Sequence, residues 1–354
     1  MTEQHGCVLC GTAIPKDPEA MLEMVAEHFS DHAEVTRQEG SVRLKSDIGQ
    51  AVLQLENQQL HIWLETPSVE KLQLSRTMLA EHLFYFAGDD ALELTWSDPP
   101  PQAMPANLHE VEVVSTGLVT PHMLRVKFSC ADVSPFVGGH MHVRLLVPPK
   151  GRLPVWPVVG DDGRIRWPEG EDALLVRIYT IRHVDEERGE IWIDFLQHPA
   201  PGIPTPGADF ARDAQPGDRA ALIGPGGGGI PDAKRIFLAG DEAALPAIAR
   251  IAAEAPAGMR LDAIIEVEDE AEEQPISGEA DIHVRWLHRS GGPAEAKGQL
   301  VSEVLNMIDK LDTETYIWVA CEKSDVRDVR RALKAREHDR KKMYVAWYWE
   351  RQPG

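Results

Sequence analysis

The chain has 354 residues, enough for two to three domains at about 150 residues each. Its apolar and charged contents, 43% and 26%, are ordinary globular values, and apolar runs such as 51–55 and 191–196 fall far short of a bilayer span. No membrane insertion is therefore expected. With 36 Lys and Arg against 57 Asp and Glu the net charge is −21, which argues against nucleic acid and requires a local basic patch for any anionic ligand.

The N-terminus lacks the basic and apolar regions of a secretory signal, and four cysteines serve the whole chain, so a reducing cytoplasm is the expected compartment. Cys7 and Cys10 form a C-x-x-C with only His5 as a nearby extra ligand. A zinc or redox pair stands beside the plainer reading of an N-terminal tail with a chance spacing. Apolar periodicity then predicts a helix over 20–30, short strands at 42–44, 51–55 and 60–64, and a longer helix over 69–87. Together they make a small α+β domain over 1–97.

Pro99, Pro100 and Pro101, with Pro105 behind them, interrupt any helix or inner strand and mark a linker over 98–107. Repeated short strands follow at 110–114, 123–128, 140–147, 174–181, 190–197 and 219–223, separated by Gly- and Pro-rich turns. They predict an antiparallel β-barrel domain over 108–229. From 235 onward strands and helices alternate, which predicts a parallel sheet covered by helices in an α/β domain over 230–354. The run Gly224 to Gly229 looks like a phosphate loop but precedes a strand, so it reads as an interdomain connection. A better nucleotide site is Gly240, Asp241 and Glu242, at a strand end and a helix start.

Arg177-Ile178-Tyr179-Thr180-Ile181-Arg182 carries the most information. Strand alternation puts Arg177 and Tyr179 on one face, with a bend at the strand end expected to redirect Thr180. The segment has the form R-x-Y-T-x-R, and with 193–198, 215–218, 240–248, 286–289 and Tyr348-Trp349 in this order it resembles the siderophore-interacting protein family. These are ferric-siderophore reductases among the ferredoxin-reductase-like flavoproteins, and the resemblance spans roughly 108–350. It implies FAD on the barrel, NADH or NADPH on the α/β domain, and electron transfer to a ferric siderophore or other Fe(III) chelate with no protein metal ligand. Arg177 would pair with the flavin pyrophosphate, Tyr179 would cover the ring, Thr180 would face its reactive nitrogen edge, and Arg182 and His198 would also touch the cofactor.

Where the family places G-P-A-S-x-W-A, this chain has Thr205-Pro206-Gly207-Ala208-Asp209-Phe210-Ala211. Ala208 lacks the serine hydroxyl, so the phosphate contact falls to backbone N–H groups at Gly207 and Ala208. Glu322 matches the family glutamate near the nicotinamide, and Cys321 before it is weighed as a reactive thiol against a merely small residue. Basic residues gather over 323–342. Arg340, Lys341 and Lys342, with Arg289, are the candidates for greeting an anionic chelate, beside the reading of a solvated helix face. Glu266 would favour NADH, whereas Arg285 or Arg289 would favour NADPH. Two alternatives stay open: an iron-chelate binder whose flavin site has decayed, suggested by Ala208, and a reductase fed by a ferredoxin.

Overall fold

The computed structural model describes residues 6–30, 33–197, 205–290 and 299–351. The chain divides into two compact units, Met1–Leu108 with Pro148–Leu174, and His109–Val147 with Leu175–Gly354. In the first unit β1 (Cys7–Pro15), α1 (Pro18–Phe29), β2 (Glu34–Gln38), β3 (Ser41–Ser46), β4 (Gly49–Glu56), β5 (Gln59–Thr66), α2 (Val69–Ala87) and β6 (Leu92–Trp96) follow in order. The strands form one antiparallel sheet, β2-β3-β4-β5-β1-β6. Asp17 caps α1 through the Ala20 N–H at 3.0 Å, and Ser68 caps α2 through the Lys71 N–H at 3.2 Å. Val25 of α1 and Leu83 of α2 bury themselves with Leu9, Leu53 and Ile62 of the sheet.

The expectation of an N-terminal tail is overturned here. β1 lies inside the sheet, paired on both sides with β5 and β6. Three residues apart on an extended strand, Cys7 and Cys10 point to opposite faces, with Cα atoms about 10 Å apart. That separation rules out both a disulfide and a shared metal at this pair.

The second unit opens with β7 (Leu108–Thr120), β8 (Met123–Cys130) and β9 (His142–Val147). The chain then leaves for an excursion carrying the small hairpin β10 (Val158–Val159) and β11 (Ile165–Arg166). It returns as β12 (Leu175–Asp185), followed by β13 (Glu190–Leu196), α3 (Pro206–Asp213) and β14 (Arg219–Gly226). The six long strands close a barrel in the order β12-β13-β8-β7-β14-β9. Val113, Phe128, Leu145, Ile193 and Phe195 fill its interior.

The excursion, 148–174, belongs to the first unit. Trp96 donates to the Asp162 carbonyl at 2.9 Å, and the Ile165 N–H donates to Glu81 at 2.8 Å. The Arg164 guanidinium lies 3.5 Å over the Phe84 ring. Gly163 turns between them at φ +91, where a Cβ would meet Trp96 at 3.0 Å and Arg76 at 3.2 Å.

The remainder is an all-parallel sheet of β15 (Arg235–Gly240), β16 (Arg260–Val267), β17 (Asp281–His288), β18 (Tyr316–Glu322) and β19 (Met343–Trp349). Helices α4 (Leu245–Glu254), α5 (Gln299–Ile308) and α6 (Lys323–Ala335) connect and cover it. The strand order β17-β16-β15-β18-β19 reverses direction between β15 and β18, and ligands of such sheets bind beyond the carboxyl ends at that switch point. Arg250 of α4, 1% exposed, donates to the Ile181 and Phe136 carbonyls of the barrel at 3.1 and 2.9 Å and to Glu254 at 2.8 Å. Buried Glu272 accepts from the Thr120 hydroxyl at 2.5 Å and the His122 N–H at 2.9 Å, a second clamp between sheet and barrel. Among the described residues no helix is long and apolar enough to cross a membrane.

Candidate active site

β12 keeps unbroken register with β9 from Leu175 to Thr180, whereas it pairs with β13 only from Ile181 onward. The two strands part at this end of the barrel, and α3 packs against both. Arg177 and Ile178 are left exposed, Ile178 at 70%. The Arg177 guanidinium folds onto the Val176 carbonyl at 2.8 Å and has no carboxylate partner among the described residues. In a chain of net charge −21, an exposed cation without a counter-ion is a ready anion receptor. Tyr179 lies against Phe195, ring centroids 4.3 Å apart, and burial pushes its phenol up to about 12.

The bend expected to redirect Thr180 is absent. Regular pairing runs through Thr180 and His142, so Thr180 stays on the face opposite Tyr179; the register shift comes between Ile181 and His183. Thr180 is buried and its hydroxyl meets His142 Nδ1 at 3.3 Å. Arg182 sits at the shift with its Nε buried and without a hydrogen-bond partner, and burial lowers its pKa.

Gly207 and Ala208 lie in the first turn of α3 behind Pro206. The Asp209 N–H already closes on the Thr205 carbonyl at 2.7 Å, and the N–H groups of a first helical turn have no intrahelical acceptor. A Cβ on Gly207 would stand 1.8 Å from the Tyr179 hydroxyl, so strand motif and helix start meet at this glycine. An exposed guanidinium and a helix N-terminus beside it fit a pyrophosphate group, whereas Arg182 lies among Asp194, Arg125, Arg250 and Glu254. His198 lies outside the described residues.

At the switch point Gly240 ends β15 where a Cβ would meet Ala244 at 2.3 Å and the Ala320 carbonyl at 2.6 Å, so only glycine fits. Asp241 is buried, accepts from the Ala243 N–H at 3.0 Å and from Trp349 Nε1 at 2.6 Å, and burial pushes its carboxyl up to about 6. Glu322, at the end of β18, caps α6 by accepting from the Ser324 N–H at 2.6 Å and also accepts from the Arg351 N–H at 3.1 Å. Burial opposes its ionisation, yet these bonds pull it down to about 2. Gly240, Asp241, Glu242, Glu322 and Trp349 thus share one crevice. Cys321 is 2% exposed and burial raises its thiol far above the ordinary range, so the reactive-thiol reading is corrected to a core residue.

The expected substrate residues are not brought together. Arg340, Lys341 and Lys342 form a single turn just before β19, at the sheet edge opposite the crevice and roughly 20 Å from Trp349 along a strand rising about 3.3 Å per residue. Lys342 is paired with Glu314 at 2.8 Å. Arg289 is held by three carboxylates, Glu242, Glu266 and Glu268, and burial lowering its pKa is outweighed by them, so it stays above the usual value. Glu266 also caps α5 through the Leu300 N–H at 3.0 Å, and Arg285 pairs with Glu303 at 2.6 Å. None of the three proposed ribose or phosphate selectors stands unengaged. Sequence reasoning missed His142 and Arg250, and it gave Tyr348 no role beyond the family motif, because their partners lie far away along the chain.

Three family models match successive stretches of the chain. The siderophore-interacting FAD-binding domain matches residues 112–229, the siderophore-interacting protein matches 233–352, and a model of an uncharacterized protein conserved in bacteria matches 12–97. The crystal structure of a siderophore utilization protein from T. fusca is 32% identical, with a TM-score of 0.58 over 73% of this chain and 96% of that one. The chain belongs to the siderophore-interacting protein family. Within the curated relatives, the ferric vibriobactin reductase of Vibrio cholerae is 28% identical over 246 residues, 68% of this chain and 89% of its own length. The NADPH-dependent ferric-chelate reductase of Escherichia coli is 27% identical over 214 residues, 59% of this chain and 78% of its own. In family terms the barrel with its parted strands is the siderophore-interacting FAD-binding domain, and the parallel sheet is the stretch matched by the siderophore-interacting protein model.

Proposed function

We propose that this chain is an FAD-dependent reductase that takes electrons from NADH or NADPH and passes them to the iron of a ferric siderophore or another Fe(III) chelate, releasing Fe(II). The observation that carries the reading is the exposed, uncompensated Arg177 beside the open N-terminus of α3, on the barrel matched by the FAD-binding model. Arg177 would hold the pyrophosphate bidentately, with the Gly207 and Ala208 N–H groups completing its contacts; Arg182 keeps a cofactor role only through its place in the family motif. Tyr179 lines that cradle, and Thr180, on the opposite face of β12, would offer its hydroxyl to the reactive edge of the flavin ring where β12 and β13 part. Gly240, Asp241, Glu242 and Glu322 would receive the nicotinamide at the switch point. Bound FAD supplies the conversion of a two-electron donor into one-electron steps. His198 keeps the cofactor role that its place in the family motif gives it.

Ala208 does not favour the decayed-site reading, because the donors left at that position belong to the backbone. A cytoplasmic setting suits a nicotinamide-fed reaction and four cysteines, none paired. The test is to purify the protein, record its flavin absorbance, reduce it anaerobically with NADH or NADPH, and add a ferric chelate with an Fe(II) trap. Yellow protein, bleached by the nicotinamide and restored as Fe(II) appears, is expected. Protein that takes up no FAD would refute the reading in favour of a chelate binder, and flavin reduced only by ferredoxin would replace the nicotinamide donor.

A further inference from the structure

The glycine run over 224–229 has no part in the function proposed above, yet it covers a buried histidine. His142 stands opposite Thr180 in the β9–β12 pairing. Its Nδ1 is 3.3 Å from the Thr180 hydroxyl and its Nε2 is 3.0 Å from the Tyr348 hydroxyl of β19. The Tyr348 ring meets the imidazole edge-on, centroids 5.4 Å apart. On its remaining side the imidazole is roofed by backbone: a Cβ on Gly228, at φ +63, would stand 2.9 Å from Nε2, and one on Gly227, at φ +55, would stand 3.6 Å from Cδ2. Met141 N–H to the Gly227 carbonyl at 3.3 Å and His140 Nδ1 to the Gly228 carbonyl at 3.0 Å fasten that roof.

A ring so enclosed is neutral, since burial, with Arg250 and His140 nearby, holds its pKa down at about 4. Neutral imidazole carries one donor and one acceptor, and each hydroxyl beside it can donate or accept. Two arrangements satisfy both ring nitrogens. With the proton on Nδ1 the ring donates to Thr180, whose own proton turns outward, and Tyr348 donates to Nε2. With the proton on Nε2 the ring donates to Tyr348, whose own proton turns away from the ring, and accepts from Thr180, whose lone pairs turn outward.

We infer that His142 is a positioning residue whose tautomer sets whether Thr180 offers the flavin a donor or an acceptor, with Tyr348 and the Gly227–Gly228 roof holding the ring in place. The inference rests on the placing of Thr180 beside the flavin in the proposed function. Oxidised flavin presents an acceptor at its central nitrogen and reduced flavin presents an N–H there. A hydroxyl fixed in one sense would serve one state only. The His142 tautomers match both, so the oxidised protein holds Nδ1–H and the reduced protein holds Nε2–H.

The experiment uses FAD-loaded protein carrying 15N-histidine, with flavin content first measured by absorbance. Long-range 15N–1H spectra are recorded before and after dithionite reduction, and His142 is assigned from the signal lost in His142→Phe. The expected result is a change of tautomer on reduction; the same tautomer in both states would overturn the inference. Equilibration with a reference dye adds an independent readout. His142→Phe should move the flavin reduction equilibrium about tenfold, about 30 mV for a two-electron couple, with FAD affinity changed less than threefold. Thr180→Val should shift the equilibrium by a similar factor while also weakening FAD binding, Thr180→Ser should restore the native value, and the double variant should shift the equilibrium no further, because the two residues act as one unit. Additive shifts would overturn the pairing. If His142→Phe does not fold, Tyr348→Phe replaces it in the dye measurement. Protein without flavin refutes the proposed function, whereas flavin-loaded protein with an invariant tautomer refutes this inference alone.

Discussion

Replacing Arg177 by alanine separates cofactor retention from folding. The side chain is exposed, makes one hydrogen bond to a neighbouring carbonyl and pairs with no carboxylate among the described residues, so its removal should leave stability within about 0.5 kcal/mol. Against FAD the same change deletes a charge-assisted contact worth about 1.5 to 3 kcal/mol. At 1.4 kcal/mol per decade that is about a tenfold to hundredfold weaker Kd. Arg177→Lys should recover only part, because an ammonium cannot reproduce the planar fork of donors. Titration of apoprotein with FAD, followed by flavin fluorescence, measures the affinity, and thermal unfolding of the apoprotein controls for the fold. A variant that folds normally and binds FAD as tightly as the parent would refute the assignment of this strand as the pyrophosphate ledge.

Gly207→Ala places a Cβ 1.8 Å from the Tyr179 hydroxyl and should lower stability by about 1 to 3 kcal/mol; Tyr179→Phe in the same chain should relieve it, as paired denaturation curves would show. Arg250→Met strips the Ile181 and Phe136 carbonyls of a buried donor and should cost about 2 to 4 kcal/mol in urea unfolding, whereas a loss under 0.5 kcal/mol would mean that the clamp is dispensable. Asp241, raised to about 6, binds its proton more tightly folded than unfolded, so the stability it contributes is complete below about pH 4 and is lost as pH rises through 6. Asp241→Asn should flatten that limb of the melting profile; an unchanged limb between pH 4 and 7 would show that another group carries it.

The barrel and the parallel sheet were legible because hydrophobic period changes where one gives way to the other, and because R-x-Y-T and its companion motifs are contiguous in sequence. β1 was not: Cys7-Val8-Leu9-Cys10-Gly11-Thr12 is a strand chiefly because β5 and β6 supply partners on either side. α3 is short, and its start signal, Pro206 at the first position with Asp209 in the first turn, was overshadowed by the glycine that reads as loop. Charge counting found the late basic residues but could not say at which end of a parallel strand they stand, and that end decides whether they meet the crevice. Arg289 needed carboxylates from three separate segments to be recognised as engaged. His142 and Tyr348 are 206 residues apart, beyond the reach of any local pattern.

The path of the chain through 148–174 bears on how such a protein is assembled and taken apart. A module hung on one linker can be moved by a single recombination event or removed by a single truncation. Here the proline-rich stretch is only the first of three crossings between units, at 108, 147 and 174. A gene cut at that stretch would carry away Glu81, Phe84 and Trp96 while leaving behind the hairpin they bind, with Asp162, Arg164 and the Ile165 N–H stripped of their partners. A truncated reductase that behaves well therefore has to lose both pieces, 1–107 and the excursion, with a short turn joining β9 to β12 in its place.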